Sequence, residues 1–95
     1  MGLHFEWDDG KARLNHENHG VRFDEAATVF VDPLARIFQD EAHSVQEERE
    51  IIIGHSSRNR LLLICFTERG DMIRIISARK ATKKERSDYE ENTLS

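Results

Sequence analysis

Between Ile73 and Arg86 the chain reads IRIISARKATKKER, which places Arg74, Arg79, Lys80, Lys83, Lys84 and Arg86 in one short span. Cations at this density at the end of an apolar strand suit a groove that holds phosphate. An arginine guanidinium is planar, stays protonated and presents a fork of N–H donors matched to two phosphate oxygens. Arg74 and Arg79 are therefore the leading candidates to stabilise charge building on phosphorus. Lys80, Lys83 and Arg86 are less specific, and either contact phosphates or solvate a helix. If the phosphate is to react, a proton must also be taken and given back. His55, at the end of a run of isoleucines, is the plausible imidazole, and Glu68 is the carboxylate alternative. Each has a plainer reading: a surface histidine at a hairpin end, and a turn residue.

Geometry restricts this set. Positions 74 and 79 differ by an odd number, so an unbroken strand puts the two arginines on opposite faces. They can serve one surface only if a bulge intervenes or the strand ends before Arg79.

Charge is unevenly distributed. Residues 58–86 carry a local balance of +6, residues 1–57 carry −7 and residues 87–95 carry −3, for a net charge of −4. A mildly acidic total hides a basic segment, and a bound polyanion responds to the segment's local field. The plainer alternative is a solvated face with local ion pairs.

The elements that must position these residues follow from pattern. Residues 3–7 can form a first strand in which Phe5 and Trp7 face the core. Asp8 then offers an N-cap, residues 11–19 a helix, and Gly20 a left-handed terminus. Asp24 is expected to cap a second short helix carrying Ala26, Ala27, Val29 and Phe30, which Asp32-Pro33 stops. Residues 34–38 alternate as a strand, and residues 40–48 are acidic and loop-like. Runs 49–55, 60–67 and 72–80 are separated by short gaps containing Asn59 or Gly70, which fits an antiparallel meander. The middle run, LLLICF, is apolar on both faces, as a central strand would be. Thr82 and Glu85 stand at capping-box spacing before a last helix, residues 83–92, whose one large apolar residue is Tyr89. The expected fold is α+β: two N-terminal helices packed on an antiparallel sheet with a three-strand meander and a polar C-terminal helix.

Ninety-five residues suit a single domain, 1–95. No apolar run approaches the roughly 20 residues of a membrane span, and the N-terminus lacks a signal core, so a cytoplasmic protein is expected. The single cysteine, Cys65, sits in the apolar run and reads as a buried small hydrophobe rather than a thiol nucleophile. His16 and His19 can share a helix face, but no Cys/His spacing supplies further ligands, so neither a metal nor another cofactor is expected.

The order of these motifs resembles a known family. FEWDDGKARLNHENHGVRFDEAATVFVDP, followed by EERE, IIIGHS, LLLICFTERGDMIRIISARKATKKER and Tyr89, is similar to BrnT-type toxins of bacterial type II toxin–antitoxin systems over about residues 4–90. The resemblance implies a small RelE-like ribonuclease fold that arrests translation when free. It also implies neutralisation by a BrnA-type antitoxin with a ribbon-helix-helix domain, and contact with operator DNA through that complex. RNA cleavage without metal uses the neighbouring 2′-hydroxyl as nucleophile, and the candidates above would supply the cations and the proton transfer. Three readings stay open: a metal-independent endoribonuclease toxin, a catalytically silent nucleic-acid-binding module, and a pure interaction protein.

Overall fold

The computed structural model describes residues 3–40 and 48–94. Within the acidic stretch expected to be a loop, residues 41–47 lie outside the described residues. Five strands, β1 (His4–Glu6), β2 (Arg36–Gln39), β3 (Glu50–His55), β4 (Leu61–Arg69) and β5 (Met72–Lys80), form one sheet in the order β1-β5-β4-β3-β2. Helices α1 (Asp9–His19) and α2 (Phe23–Thr28) lie between β1 and β2 in sequence, and α3 (Lys83–Leu94) follows β5.

The meander β3–β4–β5 is antiparallel as the turn residues require. Asn59 and Gly70 take the positive φ, 60° and 63°, that their hairpin turns demand. β2 extends the meander antiparallel to β3, but β1 pairs in parallel with β5. The sheet is therefore mixed, which corrects the expectation of an antiparallel one. Three residues of alternating pattern carry no information about which edge a strand joins or in which direction.

At α1 the Asp8 carboxylate accepts the Lys11 N–H at 2.9 Å, and Gly20, at φ 70°, donates its N–H to the His16 carbonyl. α2 departs from expectation. It begins at Phe23 with Arg22 as an N-cap whose side chain makes no capping hydrogen bond, and Asp24 sits inside the first turn. Burial sets this start: Val21 and Phe23, 0% and 2% exposed, both enter the core and leave Arg22 and Asp24 outward. Residues Val29–Val31 then tighten into a 3₁₀ turn before Asp32-Pro33.

One face of the sheet carries α1 and α2. Leu62, Ile64, Phe66, Ile52, Ile75 and Ala78 pack there against Val21, Phe23, Ala26 and Val29. Phe5 and Trp7 pack against this core as expected, through edge-on contacts with Phe30 and Phe23. The second face holds a smaller cluster in which Tyr89 of α3 buries Ile53 and Leu61. Two buried polar devices tie the layers together. Asn15 of α1 donates to the carbonyls of Val21 and Ala78 and accepts the Ala78 N–H. β1 reaches only as far as Arg74 along β5, so this amide stands in for the missing neighbour strand. Glu25 of α2 accepts from Ser56 and from both Nε and Nη2 of Arg60, which also donates to the Gly20 carbonyl.

Candidate active site

A bulge decides where the arginines point. Cys65 pairs with Ser77, but the next residue of β4, Phe66, pairs with Ile75, so Ile76 is an extra residue in β5. Arg74 and Arg79 consequently sit opposite Thr67 and Leu63, which share one face of β4. Both arginines lie on the second face, with Cα atoms about 13 Å apart at ~3.3 Å per residue. They occupy successive positions along one surface instead of surrounding a single point.

Each arginine is held by a carboxylate. Arg74 Nη1 donates to Glu6 Oε2 at 2.7 Å, across its own register pair in β1. Arg79 makes a two-pronged contact: Nη1 and Nη2 donate to Oε1 and Oε2 of Glu85, each at 2.8 Å. Glu85 also accepts the Thr82 N–H at 2.8 Å while the Thr82 hydroxyl accepts the Glu85 N–H, closing the expected capping box. Chiefly through the hydrogen bonds from Arg79, the Glu85 carboxyl is pulled down to about 2. A carboxyl depressed in the folded state stabilises the fold above its unfolded value, near 4.5, and that contribution is lost as pH falls toward 2. Acid titration of the wild type is expected to loosen α3 in this window, whereas Glu85→Gln removes this part of the acid sensitivity. Far-ultraviolet circular dichroism between pH 5 and pH 2 checks it, and identical acid profiles would refute it.

Arg79 and Glu85 line a cleft of about 320 Å³ between α3 and the sheet, together with Arg36, Phe38, Leu63 and Tyr89. Arg36 Nη1 donates to the Asn92 carbonyl at 3.1 Å. The Tyr89 hydroxyl is buried without a hydrogen-bond partner, and burial followed by the charge of Asp32 pushes its pKa up. The Tyr89 ring meets the His55 ring edge-on at 5.7 Å. His55 ends β3 on this same face, and its backbone N–H donates to Asp32 Oδ2 at 2.7 Å. Ile53, Leu63 and Arg79 form one cross-strand row, and His55 lies two residues beyond it. That puts the His55 and Arg79 Cα atoms about 12 Å apart from strand spacings alone.

The other candidates fall elsewhere. Glu68 pairs with Ile73 on the face that carries α1 and α2, so the sheet separates it from both arginines. It also lies near Glu50, whose pKa is raised by burial and then by the charges of Glu68 and Glu48, surroundings that repel phosphate. Lys80 pairs with Leu62 and belongs to that same opposite face at its exposed end. Lys83 and Arg86 are exposed on the first turns of α3. Cys65 is buried, and burial together with Asp40 pushes its thiol up, away from a reactive thiolate. Among the described residues no three His, Cys, Asp or Glu side chains gather as a metal site.

Three cleft residues escaped the sequence reading as chemistry. Glu85 was legible as a cap, and Tyr89 as the apolar anchor of α3. Arg36 had no signal, because its place depends on the pairing of β2 with β3.

The family described as "Ribonuclease toxin, BrnT, of type II toxin-antitoxin system" has a model that matches residues 7–85, from Trp7 through the Arg79–Glu85 pair. The chain belongs to the BrnT family. That membership implies an antitoxin partner. The fold is similar to the crystal structure of the Brucella abortus ribonuclease toxin BrnT, with a TM-score of 0.66 and 21% identity. The match covers 86% of this chain and 100% of that one. No curated protein matches the chain. Beyond its first turn, α3 lies outside the residues that the BrnT model matches, while the cationic strand β5 lies wholly within them.

Proposed function

We propose that this BrnT-family chain is a single-domain endoribonuclease toxin that cleaves RNA without metal on the second face of its sheet. The observation that carries this reading is the Arg79 guanidinium, presented as a two-pronged donor in an open cleft. A phosphate exchanging with the Glu85 carboxylate would meet the same paired N–H groups. Arg36 supplies a second cation in the cleft, and Arg74 meets the RNA backbone further along the face. Lys83 and Arg86 extend the positive field over the start of α3 and guide the polyanion. The His55 imidazole protonates the departing 5′-oxygen. Glu68 has no part, since it lies across the sheet.

The wider reading follows from BrnT membership. The fold is of RelE-like type, cleavage arrests translation and growth in the cytoplasm, and a BrnA-type ribbon-helix-helix antitoxin neutralises the toxin. Operator DNA is met only through that complex. Among the described residues no helix is long and apolar enough to cross a membrane.

Induction of the chain in bacteria, alone and with the candidate antitoxin, tests this directly. Growth is expected to stop only without the antitoxin, and cellular RNA to be cut. The purified protein is expected to cleave RNA equally well in EDTA. Activity that appears only on adding a divalent metal would overturn the metal-free mechanism. Arrest of growth with intact RNA would instead favour a binding module without catalysis.

A further inference from the structure

We infer that Glu85 is the proton acceptor for the RNA 2′-hydroxyl, working as a dyad with Arg79. This rests on reading the cleft as the RNA-cleaving site. Cleavage needs a base beside the cation that holds the phosphate, because the attacking oxygen and the phosphorus belong to adjacent groups of one nucleotide. Glu68 is on the wrong face, Asp32 is already engaged by the His55 N–H, and Asp88 lines the same cleft, but the carboxylate that accepts both prongs of Arg79 is Glu85. Glu85 lies on the arginine fork itself, and both side chains remain reachable, at 29% and 38% exposed.

The pairing also explains how a strongly acidic carboxylate becomes a base when it is needed. In the free protein two hydrogen bonds from Arg79 and one from the Thr82 N–H satisfy Glu85. A phosphate that takes the Arg79 fork removes the largest cause of the depressed pKa and leaves the Thr82 contact. It also brings a negative charge close by, so the affinity of Glu85 for a proton rises as substrate arrives.

In the chemical step the Glu85 carboxylate takes the 2′-O–H proton while the 2′-oxygen forms a bond to phosphorus. The bond from phosphorus to the 5′-oxygen breaks, and that oxygen leaves with its electron pair and receives a proton from the His55 imidazolium. The products are a 2′,3′-cyclic phosphate and a 5′-hydroxyl end. Arg79 balances the charge on the phosphorus oxygens throughout.

The capping box makes an informative test possible. Glutamine closes the same box as glutamate, so Glu85→Gln keeps the start of α3 while removing the base. The assay is single-turnover cleavage of a labelled messenger RNA with ribosomes present, alongside thermal melts and RNA retention on filters. Glu85→Gln is expected to fold and bind RNA within a few-fold of wild type yet cleave about 100-fold more slowly. Glu85→Asp should keep part of the rate. The wild-type rate should fall at acid pH with an apparent pKa well above 2, and the residual activity of Glu85→Gln should lack that limb. Cleavage by Glu85→Gln at the wild-type rate, with Arg79→Ala crippled, would make Glu85 only a helix cap and overturn the dyad alone. Faster cleavage by Glu85→Gln would overturn it too, and would show that the carboxylate merely blocks the fork. Arg79→Ala cleaving like wild type would remove the cleft reading and the dyad with it.

Discussion

Arg79→Ala is expected to lower RNA cleavage about 100-fold, equivalent to roughly 3 kcal/mol of transition-state stabilisation, and to abolish toxicity on induction. The argument is geometric. Arg79 is the cation whose two forward N–H groups already grip a pair of oxygens 2.8 Å away, and a phosphate offers the same paired acceptors. Arg79→Lys keeps the charge but loses the fork, so it should recover only a small part of the rate. The fold should survive, because Glu85 keeps its Thr82 contacts and Tyr89 still anchors α3 on Ile53 and Leu61. Arg74→Ala should cost less, since Arg74 sits about two residue pairs further along the face, paired with Glu6. Cleavage assays must be read beside circular dichroism and melts. A folded Arg79→Ala that remains fully toxic would move the site away from this cleft.

Much of the framework was legible because it is local. The capping box at Thr82 and Glu85, the Asp8 cap, the left-handed Gly20 and the turns at Asn59 and Gly70 each depend on a few neighbouring residues, and all are present. The meander was legible because three apolar runs with short gaps admit few other pairings. What stayed hidden depends on residues far apart in sequence. The parallel attachment of β1 brings Glu6 to Arg74, 68 positions away. The side of the sheet on which Glu68 emerges follows from the register of β4, not from its own surroundings.

The bulge shows how one residue sets the layout of the candidate site. Alternation alone separated Arg74 from Arg79, and the exception that would reunite them was known, but its position was not. The structure inserts Ile76, beside the point where Asn15 grips Ala78. No spacing pattern announces that contact, since Asn15 lies in the first helix and reads locally as an ordinary polar residue. A helix amide thus fixes the backbone next to Arg79, a link between packing and the proposed chemistry that only the tertiary fold supplies.

The largest effect on stability is expected at a pair the sequence did not single out. Arg60→Ala should destabilise the fold by about 3 kcal/mol at neutral pH, since removing one partner leaves a buried carboxylate uncompensated. Glu25 is only 5% exposed in its side chain, and Arg60 supplies both its ion pair and two of its hydrogen bonds. Against a total of roughly 5–15 kcal/mol, that loss is a large fraction. Its pH dependence identifies the cause. In the wild type the hydrogen bond from Arg60 holds the Glu25 carboxyl below its ordinary 4.5, against the opposing effect of burial. Its contribution is thus present above 4.5 and declines as pH falls. Without Arg60 the largest cause of the lowering is gone and burial is opposed by Ser56 and the more distant Arg58, so the carboxyl shifts upward from its wild-type position. The variant's deficit should therefore shrink on acidification from pH 7 toward pH 4, as the carboxylate left without Arg60 is neutralised. Urea unfolding at both pH values measures it, and Glu25→Gln combined with Arg60→Met should recover part of the loss by removing both charges. A deficit of the same size at both pH values would mean that Arg60 acts through its contact with the Gly20 carbonyl and its packing, not through Glu25.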